Sequence, residues 1–167
     1  MSKSPARPAR RLFLVFLLTL ASAALLAQGA MALSVSLYRY YNPGNGDHFY
    51  TTNWNELGNG GLGYYFEWVQ CHIDSRSGTG NTPFYRYYNS GTGAHFYSTD
   101  FYEAPAGFSF EWVQGYVYTY NFTGSLVPLY RYYNAGTDKY FYTTNYNELG
   151  GGAQGFAYQK IAAWVNP

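Results

Sequence analysis

The sequence predicts an all-β protein made of three tandem repeats that close about a pseudo-threefold axis. A tyrosine-rich pattern occurs three times at a spacing of about 45 residues, and each copy consists of short aromatic stretches separated by glycine-containing turns. Units of this size cannot each bury a hydrophobic face alone, and an open row would leave sheet edges exposed. Closure removes those edges. The β-trefoil is the favoured arrangement, and a propeller-like ring is the alternative.

Residues 1–32 are predicted to form a signal peptide. A basic start is followed by an uncharged apolar run over residues 12–27, and Ala30-Met31-Ala32 matches a cleavage site. An uncleaved membrane anchor is the alternative, although the run is short for crossing a bilayer. We therefore expect a secreted, extracellular mature chain over residues 33–167, which forms a single domain and does not span a membrane.

Each repeat opens with an aromatic strand, turns tightly through a glycine-rich loop, and continues into a second aromatic strand. After it, Asn53 with Glu56 and Asn145 with Glu148 have the spacing of a capping box, which predicts one short helical turn. A last pair of strands completes each copy. The three repeats span residues 37–83, 84–128 and 129–167.

The charge of the mature chain argues against nucleic-acid binding. The whole sequence has ten Lys and Arg against nine Asp and Glu. Four of the basic residues lie in the leader, which leaves six against nine and a net charge of about −3 with no basic cluster. The single cysteine, Cys71, excludes an intramolecular disulfide. Matching positions hold Gly115 and Ala163, so a buried structural role is predicted for Cys71.

The strand at residues 38–42, the His-Phe-Tyr-Thr-Thr strand at residues 48–52 and the Asn-Glu-Leu-Gly turn resemble a secreted, tyrosine-rich repeat family catalogued as a domain of unknown function. The resemblance extends over about residues 37–165. It implies a β fold and an extracellular location, because members occur alone or joined to extracellular hydrolases. Repeat 3 departs from the pattern: Lys139 replaces Asp, Tyr140 replaces His and Gln159 replaces Glu. A site built on those positions is therefore expected to be lost there.

No pattern of catalytic or metal-binding residues is evident, so the protein is predicted not to be an enzyme and to need no metal or cofactor. His48 and His95 occupy matching positions of different repeats, which would hold them apart, and zinc needs three or four converging ligands. Glu56, Glu103 and Glu148 recur once per copy. Recurrence suits a structural role or repeated binding sites better than one active centre.

An arginine recurs in the first strand of every repeat. One interpretation is that each guanidinium binds a ligand. The favoured interpretation is that it pairs with a residue of the last strand pair, because a buried arginine needs a partner. The predicted pairs are Arg39–Glu67 and Arg86–Glu111, with Arg131 facing only Gln159.

The predicted function is that of a carbohydrate-binding or lectin-like module whose partner is a glycan or cell-surface polysaccharide. Trp54, Phe101 and Tyr146 each follow a polar residue on a loop, and sugar sites combine flat aromatic faces with nearby polar groups. The same aromatics could instead cover the core, and the alternative function is a protein-interaction or structural matrix domain. The candidate ligand-binding residues are Asp47, His48, Asn53, Trp54, Glu56, His95, Asp100, Phe101, Glu103, Asn145, Tyr146 and Glu148.

Overall fold

The computed structural model describes residues 33–167, and in that range the protein is all-β, with two short 3₁₀ helices as its only helices. The predicted signal peptide lies outside the described residues. No helix of the described part is long and apolar enough to span a membrane. The strands are β1 (Ser34–Asn42), β2 (Asp47–Thr51), β3 (Gly60–Gly61), β4 (Tyr64–Asp74), β5 (Asn81–Asn89), β6 (Ala94–Ser98), β7 (Ser109–Tyr118), β8 (Val127–Asn134), β9 (Lys139–Thr143), β10 (Gly152–Ala153) and β11 (Phe156–Val165). The 3₁₀ helices are Trp54–Glu56 and Tyr146–Glu148.

The segments 37–83, 84–128 and 129–167, called units 1, 2 and 3 below, each contribute an antiparallel sheet with the first strand in the middle. In unit 1, β1 pairs with β2 on one side and with β4 on the other. Unit 2 repeats this order with β5 between β6 and β7, and unit 3 with β8 between β9 and β11. Isolated pairs join the ends of β4, β7 and β11. Within residues 33–167 the hydrogen-bonded path from β2 to β9 does not close on itself.

The turn between the first two strands of each unit has the tight geometry expected from its glycines. Gly46 and Gly93 have φ angles of 74° and 64°, a left-handed conformation that glycine adopts without strain. In unit 3 the same place is taken by Asp138, with a φ of 55°, and its carboxylate accepts a hydrogen bond from the Tyr133 hydroxyl at 3.0 Å. The short polar side chain thus replaces glycine at little cost.

The inner strands β2, β6 and β9 are buried along their whole length, and three tyrosines link them. The Tyr50 hydroxyl donates to the carbonyl of Tyr142 at 2.7 Å and accepts from its backbone N–H at 2.8 Å. Tyr142 makes the same two bonds to Tyr97, and Tyr97 makes them to Tyr50. These hydroxyls satisfy backbone groups that a further strand would otherwise have to pair, which lets three sheets meet at their edges.

Around this tyrosine ring lies a core of aromatic and aliphatic side chains that includes Leu37, Phe84 and Leu129. Cys71 is buried in the same core as an unpaired thiol, and burial raises its pKa. Its predicted structural role therefore agrees with its position.

Candidate functional site: the junctions between units

Buried arginines mark the places where neighbouring units meet. Arg39 of unit 1 is 1 % exposed, and its Nε lies 2.6 Å from Oε2 of Glu67 in the same unit. Its Nη2 lies 2.9 Å from Oε1 of Glu148 in unit 3. The ring of Trp68 covers the guanidinium at 3.7 Å from Cζ. Two carboxylates from different units therefore neutralise one buried cation, at what we call the 3–1 junction.

The junction between units 1 and 2, the 1–2 junction, has the same chemistry. Arg86 Nε lies 2.8 Å from Oε2 of Glu111, and its two terminal nitrogens lie 3.0 and 3.2 Å from the carboxylate oxygens of Glu56 in unit 1. The predicted pairs Arg39–Glu67 and Arg86–Glu111 are thus confirmed. The second carboxylate, contributed by the preceding unit, was not predicted.

The 2–3 junction differs. Arg131 Nε lies 2.8 Å from Oε1 of Gln159, and Nη2 lies 2.8 Å from Oε1 of Glu103. The prediction that Arg131 faces only Gln159 is wrong, because Glu103 reaches it from unit 2. Burial would raise the pKa of Glu103, but hydrogen bonds from Arg131, Lys160 and Ser98 outweigh it and lower the pKa to about 2. Arg131 Nη1 has no hydrogen-bond partner within residues 33–167.

β-Bulges bring the acceptors to these arginines. The pairing of β1 with β4 skips Glu67 and Gln70, and both side chains contact Arg39. In a regular strand, residues three apart point to opposite faces, and a bulge re-aims a side chain by adding one residue. The same bulges occur at Glu111 and Gln114 in unit 2 and at Gln159 and Ala162 in unit 3.

The two candidate histidines lie at different junctions. His48 is buried at the 3–1 junction, where its Nε2 lies 3.8 Å from Oε2 of Glu67. Burial and the positive charge of Arg39 lower its pKa to about 3, so the imidazole is neutral. His95 lies at the 1–2 junction, and its Nδ1 lies 2.6 Å from Oδ2 of Asp47.

Asp47 is fully buried and serves as an internal anchor. Its carboxylate accepts hydrogen bonds from the hydroxyl of Tyr64 at 2.7 Å and from the backbone N–H of His95 at 2.9 Å. It therefore orients His95 and has no surface through which to meet a ligand directly. The matching positions of the other units are Ala94 and Lys139, so this network is specific to the 1–2 junction.

The polar residues that precede the loop aromatics act as caps. The side-chain oxygens of Asn53, Asp100 and Asn145 each accept a backbone N–H two residues later, at 3.1, 2.9 and 3.1 Å. The short turns predicted after Asn53 and Asn145 are therefore present. The capping-box role expected of the glutamates is not, because the carboxylates of Glu56 and Glu148 extend to the arginines of the next unit.

The loop aromatics themselves pack edge-on against first-strand tyrosines. Trp54 lies 4.9 Å from Tyr38 between ring centroids and is 36 % exposed. Phe101 and Tyr146 pack in the same way at 5.3 and 5.2 Å against the matching tyrosines of units 2 and 3. Each ring presents part of its surface to solvent and covers the core with the rest.

Pockets lie at the junctions, and each of them is lined by candidate residues from two units. A pocket of about 430 Å³ at the 3–1 junction is lined by His48, Glu67 and Glu148. Another of about 460 Å³ at the 1–2 junction is lined by Glu56, His95 and Glu111. We expected each repeat to assemble its own set. The structure instead combines a histidine of one unit with a glutamate of the unit before it, and leaves Trp54 outside both pockets.

A further groove of about 620 Å³ at the 1–2 junction contains a residue that the sequence reasoning missed. Trp112 is 66 % exposed and lines this groove with Asn53, Glu56, Arg86 and Glu111. The last strand pair, to which Trp112 belongs, was not among the candidate binding segments. Its place in the sequence could have identified it, because Trp112 immediately follows Glu111, the glutamate predicted to pair with Arg86.

Comparison with known proteins places the chain in a family. The family model for DUF5648, a domain of unknown function, matches residues 36–166. The chain belongs to this family. No curated protein and no solved structure matches it.

In this DUF5648 domain, arginines hold the carboxylates that face the candidate histidines across the junction pockets. Among residues 33–167, no group of three or more His, Cys, Asp or Glu side chains is arranged to hold a metal ion. Glu67 and Glu111, which face Nε2 of the two candidate histidines at 3.8 and 3.7 Å, are held by arginines at 2.6 and 2.8 Å. Such carboxylates are fixed hydrogen-bond acceptors at the entrance of a groove.

Proposed function

We propose that this protein is a secreted, non-catalytic carbohydrate-binding module whose main site is the groove at the 1–2 junction. The observation that carries the proposal is the exposed ring of Trp112 beside the polar side chains of Asn53, Glu56 and Glu111. Flat aromatic faces contact the apolar C–H surface of a sugar ring, and fixed polar groups bond its hydroxyls.

The polar groups of this groove are held in place before any ligand arrives. Arg86 bonds both oxygens of Glu56 and one oxygen of Glu111 at 2.8–3.2 Å, and the Asn53 side chain is fixed by its capping bond. Each side chain that is already ordered spares about 0.5–1.5 kcal/mol of entropy on binding. Preorganisation thus supports weak but specific binding in a shallow, open site.

The state of the carboxylates supports binding without catalysis. Burial would raise the pKa of Glu56, but hydrogen bonds from Arg86 and Thr51 and the charge of Arg86 outweigh it and lower the pKa. A general acid for glycoside cleavage needs a raised pKa. Glu56 therefore suits hydrogen bonding to hydroxyls better than proton transfer.

We also infer that the three units are related by a pseudo-threefold axis through the tyrosine ring. The cyclic bonds among Tyr50, Tyr97 and Tyr142 support this, as do the arginines that each bind a glutamate of the preceding unit. In every unit the buried strand (β2, β6 or β9) lies innermost, and the other two long strands of the same unit lie further out. This strand order supports the propeller-like arrangement over the β-trefoil. An experimental structure in which residues 37–73, 84–117 and 129–165 failed to superpose would contradict the axis.

Secretion follows from the leader and is testable on its own. N-terminal sequencing of protein recovered outside the cell should begin within a few residues of Leu33. Recovery of a mature chain that still carries residues 12–27 would contradict the proposed location.

The binding test compares Trp112→Ala with Trp54→Ala in affinity electrophoresis through gels that contain neutral polysaccharides. Wild type should be retarded by at least one polymer, and Trp112→Ala should weaken that binding by about tenfold, the effect of losing about 1.4 kcal/mol of stacking and contact energy. Trp54→Ala is the matched control, and its smaller exposed face predicts a smaller loss. Circular dichroism checks that both variants fold. Absence of binding to any polymer, or equal losses in both variants, would favour the protein-interaction alternative.

A further inference from the structure

The 2–3 junction has the opposite charge balance to the other two junctions. There two cations, Arg131 and Lys160, share one carboxylate, that of Glu103. At the 3–1 junction and at the 1–2 junction, one arginine faces two glutamates. Lys160 takes the place of tryptophan, since it pairs with Arg131 across the strands as Trp68 pairs with Arg39.

The buried guanidinium at this junction also lacks an acceptor. Arg131 is 6 % exposed, and its Nη1 makes no hydrogen bond within the described residues. In unit 1 the same nitrogen donates to Gln70 at 3.1 Å and to Glu148 at 3.3 Å. An unsatisfied buried donor is costly, so a group that accepts from it would bind with a clear advantage.

One substitution and the competing contacts of one carboxylate account for the missing acceptor. Ala162 stands at the bulge where unit 1 has Gln70, so no side-chain amide reaches Arg131. Oε2 of Glu103 bonds Ser98, and its Oε1 is shared between Arg131 and Lys160. Glu103 therefore makes its bonds to Ser98, Lys160 and Arg131 Nη2, and none to Nη1.

We propose that the 2–3 junction is an anion subsite that binds the carboxylate or sulfate group of an acidic polysaccharide. An anionic oxygen would complete the hydrogen bonding of Arg131 Nη1 and pair with Lys160, whose side chain is 47 % exposed at the rim. The inference rests on the proposed carbohydrate binding and names its substrate class. A neutral segment would occupy the Trp112 groove while an acidic residue of the same polymer occupies this subsite.

The test uses two pairs of polymers that differ in charge: polygalacturonate against its methyl ester, and dextran sulfate against dextran. Wild type should bind at least one acidic polymer about tenfold more tightly than its neutral counterpart, and added salt should reduce the difference. The pair that shows the preference identifies carboxylate or sulfate as the bound group.

Lys160→Gln and Gln159→Glu are the diagnostic variants. The first removes the exposed cation, and the second places beside Arg131 the carboxylate found in units 1 and 2. Both residues are exposed, so both variants should fold, and both should lose the preference for acid while they retain binding to neutral polymers.

The possible outcomes separate this inference from the function on which it rests. Equal binding of acidic and neutral polymers, with loss of both in Trp112→Ala, would overturn the subsite alone. A preference that persists in both diagnostic variants would also overturn it. A preference that Lys160→Gln abolishes, together with a Trp112→Ala variant that binds every polymer as tightly as wild type, would support the subsite and contradict the groove. Failure to bind any of the four polymers would contradict both.

Discussion

The 3–1 and 2–3 junctions occupy matching places between units, and each contains a buried arginine. The two arginines differ in how many of their nitrogens have a hydrogen-bond acceptor. Every nitrogen of the Arg39 guanidinium has an acceptor, and two of these acceptors are carboxylates. Arg131 has an acceptor for two of its three nitrogens, and only one acceptor is charged. The backbone bulges that present these groups are the same in both units.

The contacts that join the inner strands are the same in all three units, whereas the charged groups at the junctions differ from one junction to the next. The bonds between the inner strands run from hydroxyl to backbone and are alike at all three places, so they depend only on a tyrosine in each unit. The side chains at the bulges point into the junctions, where glutamate, glutamine and alanine are all accommodated. The tyrosine ring therefore holds the units together, and the junctions can vary in charge.

The largest expected effect is the loss of stability in Arg39→Met. Its removal leaves Glu67 and Glu148 without a cation, and breaking a buried pair from one side costs about 3–5 kcal/mol. Both glutamates keep some access to water, so we expect about 3 kcal/mol, at the lower end. The measurement is urea unfolding of the mature protein, followed by tyrosine and tryptophan fluorescence.

Arg131→Met is the matched comparison. The substitution removes the arginine partner of Glu103, which keeps its bond to Lys160, and it also removes an unsatisfied donor. We therefore expect a smaller loss of stability, of about 1–2 kcal/mol. Equal losses in the two variants would mean that the extra acceptors of Arg39 contribute nothing to stability.

A tyrosine of the ring should show a smaller effect than Arg39→Met, and the effect should be the same in every unit. Tyr50→Phe removes the hydroxyl that bonds both backbone groups of Tyr142, at a cost of about 2 kcal/mol. Tyr97→Phe and Tyr142→Phe should cost the same, whereas Tyr65→Phe on the surface should change stability by less than about 0.5 kcal/mol. Unequal losses around the ring would show that the units differ at the centre as well as at the junctions.

Much of the fold could be predicted from the sequence because the information was local. Alternating aromatics and glycine turns identify strands and their connections, and Asn53 and Asn145 mark the short turns. The pairs Arg39–Glu67 and Arg86–Glu111 followed from matching a buried cation with a recurring carboxylate in the same repeat.

The composition of the site could not be predicted, because it depends on how units meet. Local spacing assigned Glu56 and Glu148 to caps, whereas their carboxylates cross to the next unit. The bulges at Glu67 and Gln70 break the period of two on which strand reasoning relies. Asp47 was predicted to bind a ligand, although its partners come from a distant strand and bury it completely.

The smallest expected effect contrasts His48 at the 3–1 junction with Tyr140, which holds the matching position at the 2–3 junction. The folded protein holds His48 neutral down to about pH 3, whereas the unfolded chain binds a proton near pH 6.5. Between those values the unfolded state carries the extra proton, so acidification lowers the free energy of unfolding. From pH 7 to pH 5.5 the contribution of His48 should be a loss of about 1 kcal/mol.

His48→Tyr copies the residue of unit 3 and should remove that part of the pH dependence. Urea midpoints of wild type and variant at pH 7 and pH 5.5 give the difference within each protein, so a change in absolute stability does not affect the reading. Because every other ionisable group is the same in both proteins, the contribution of those groups cancels in the comparison. An identical fall in stability in the two proteins would mean that His48 takes up a proton as readily in the fold as in the unfolded chain. That result would place the imidazole in contact with water and out of the field of Arg39, and it would make the 3–1 and 2–3 junctions more alike than their contacts indicate.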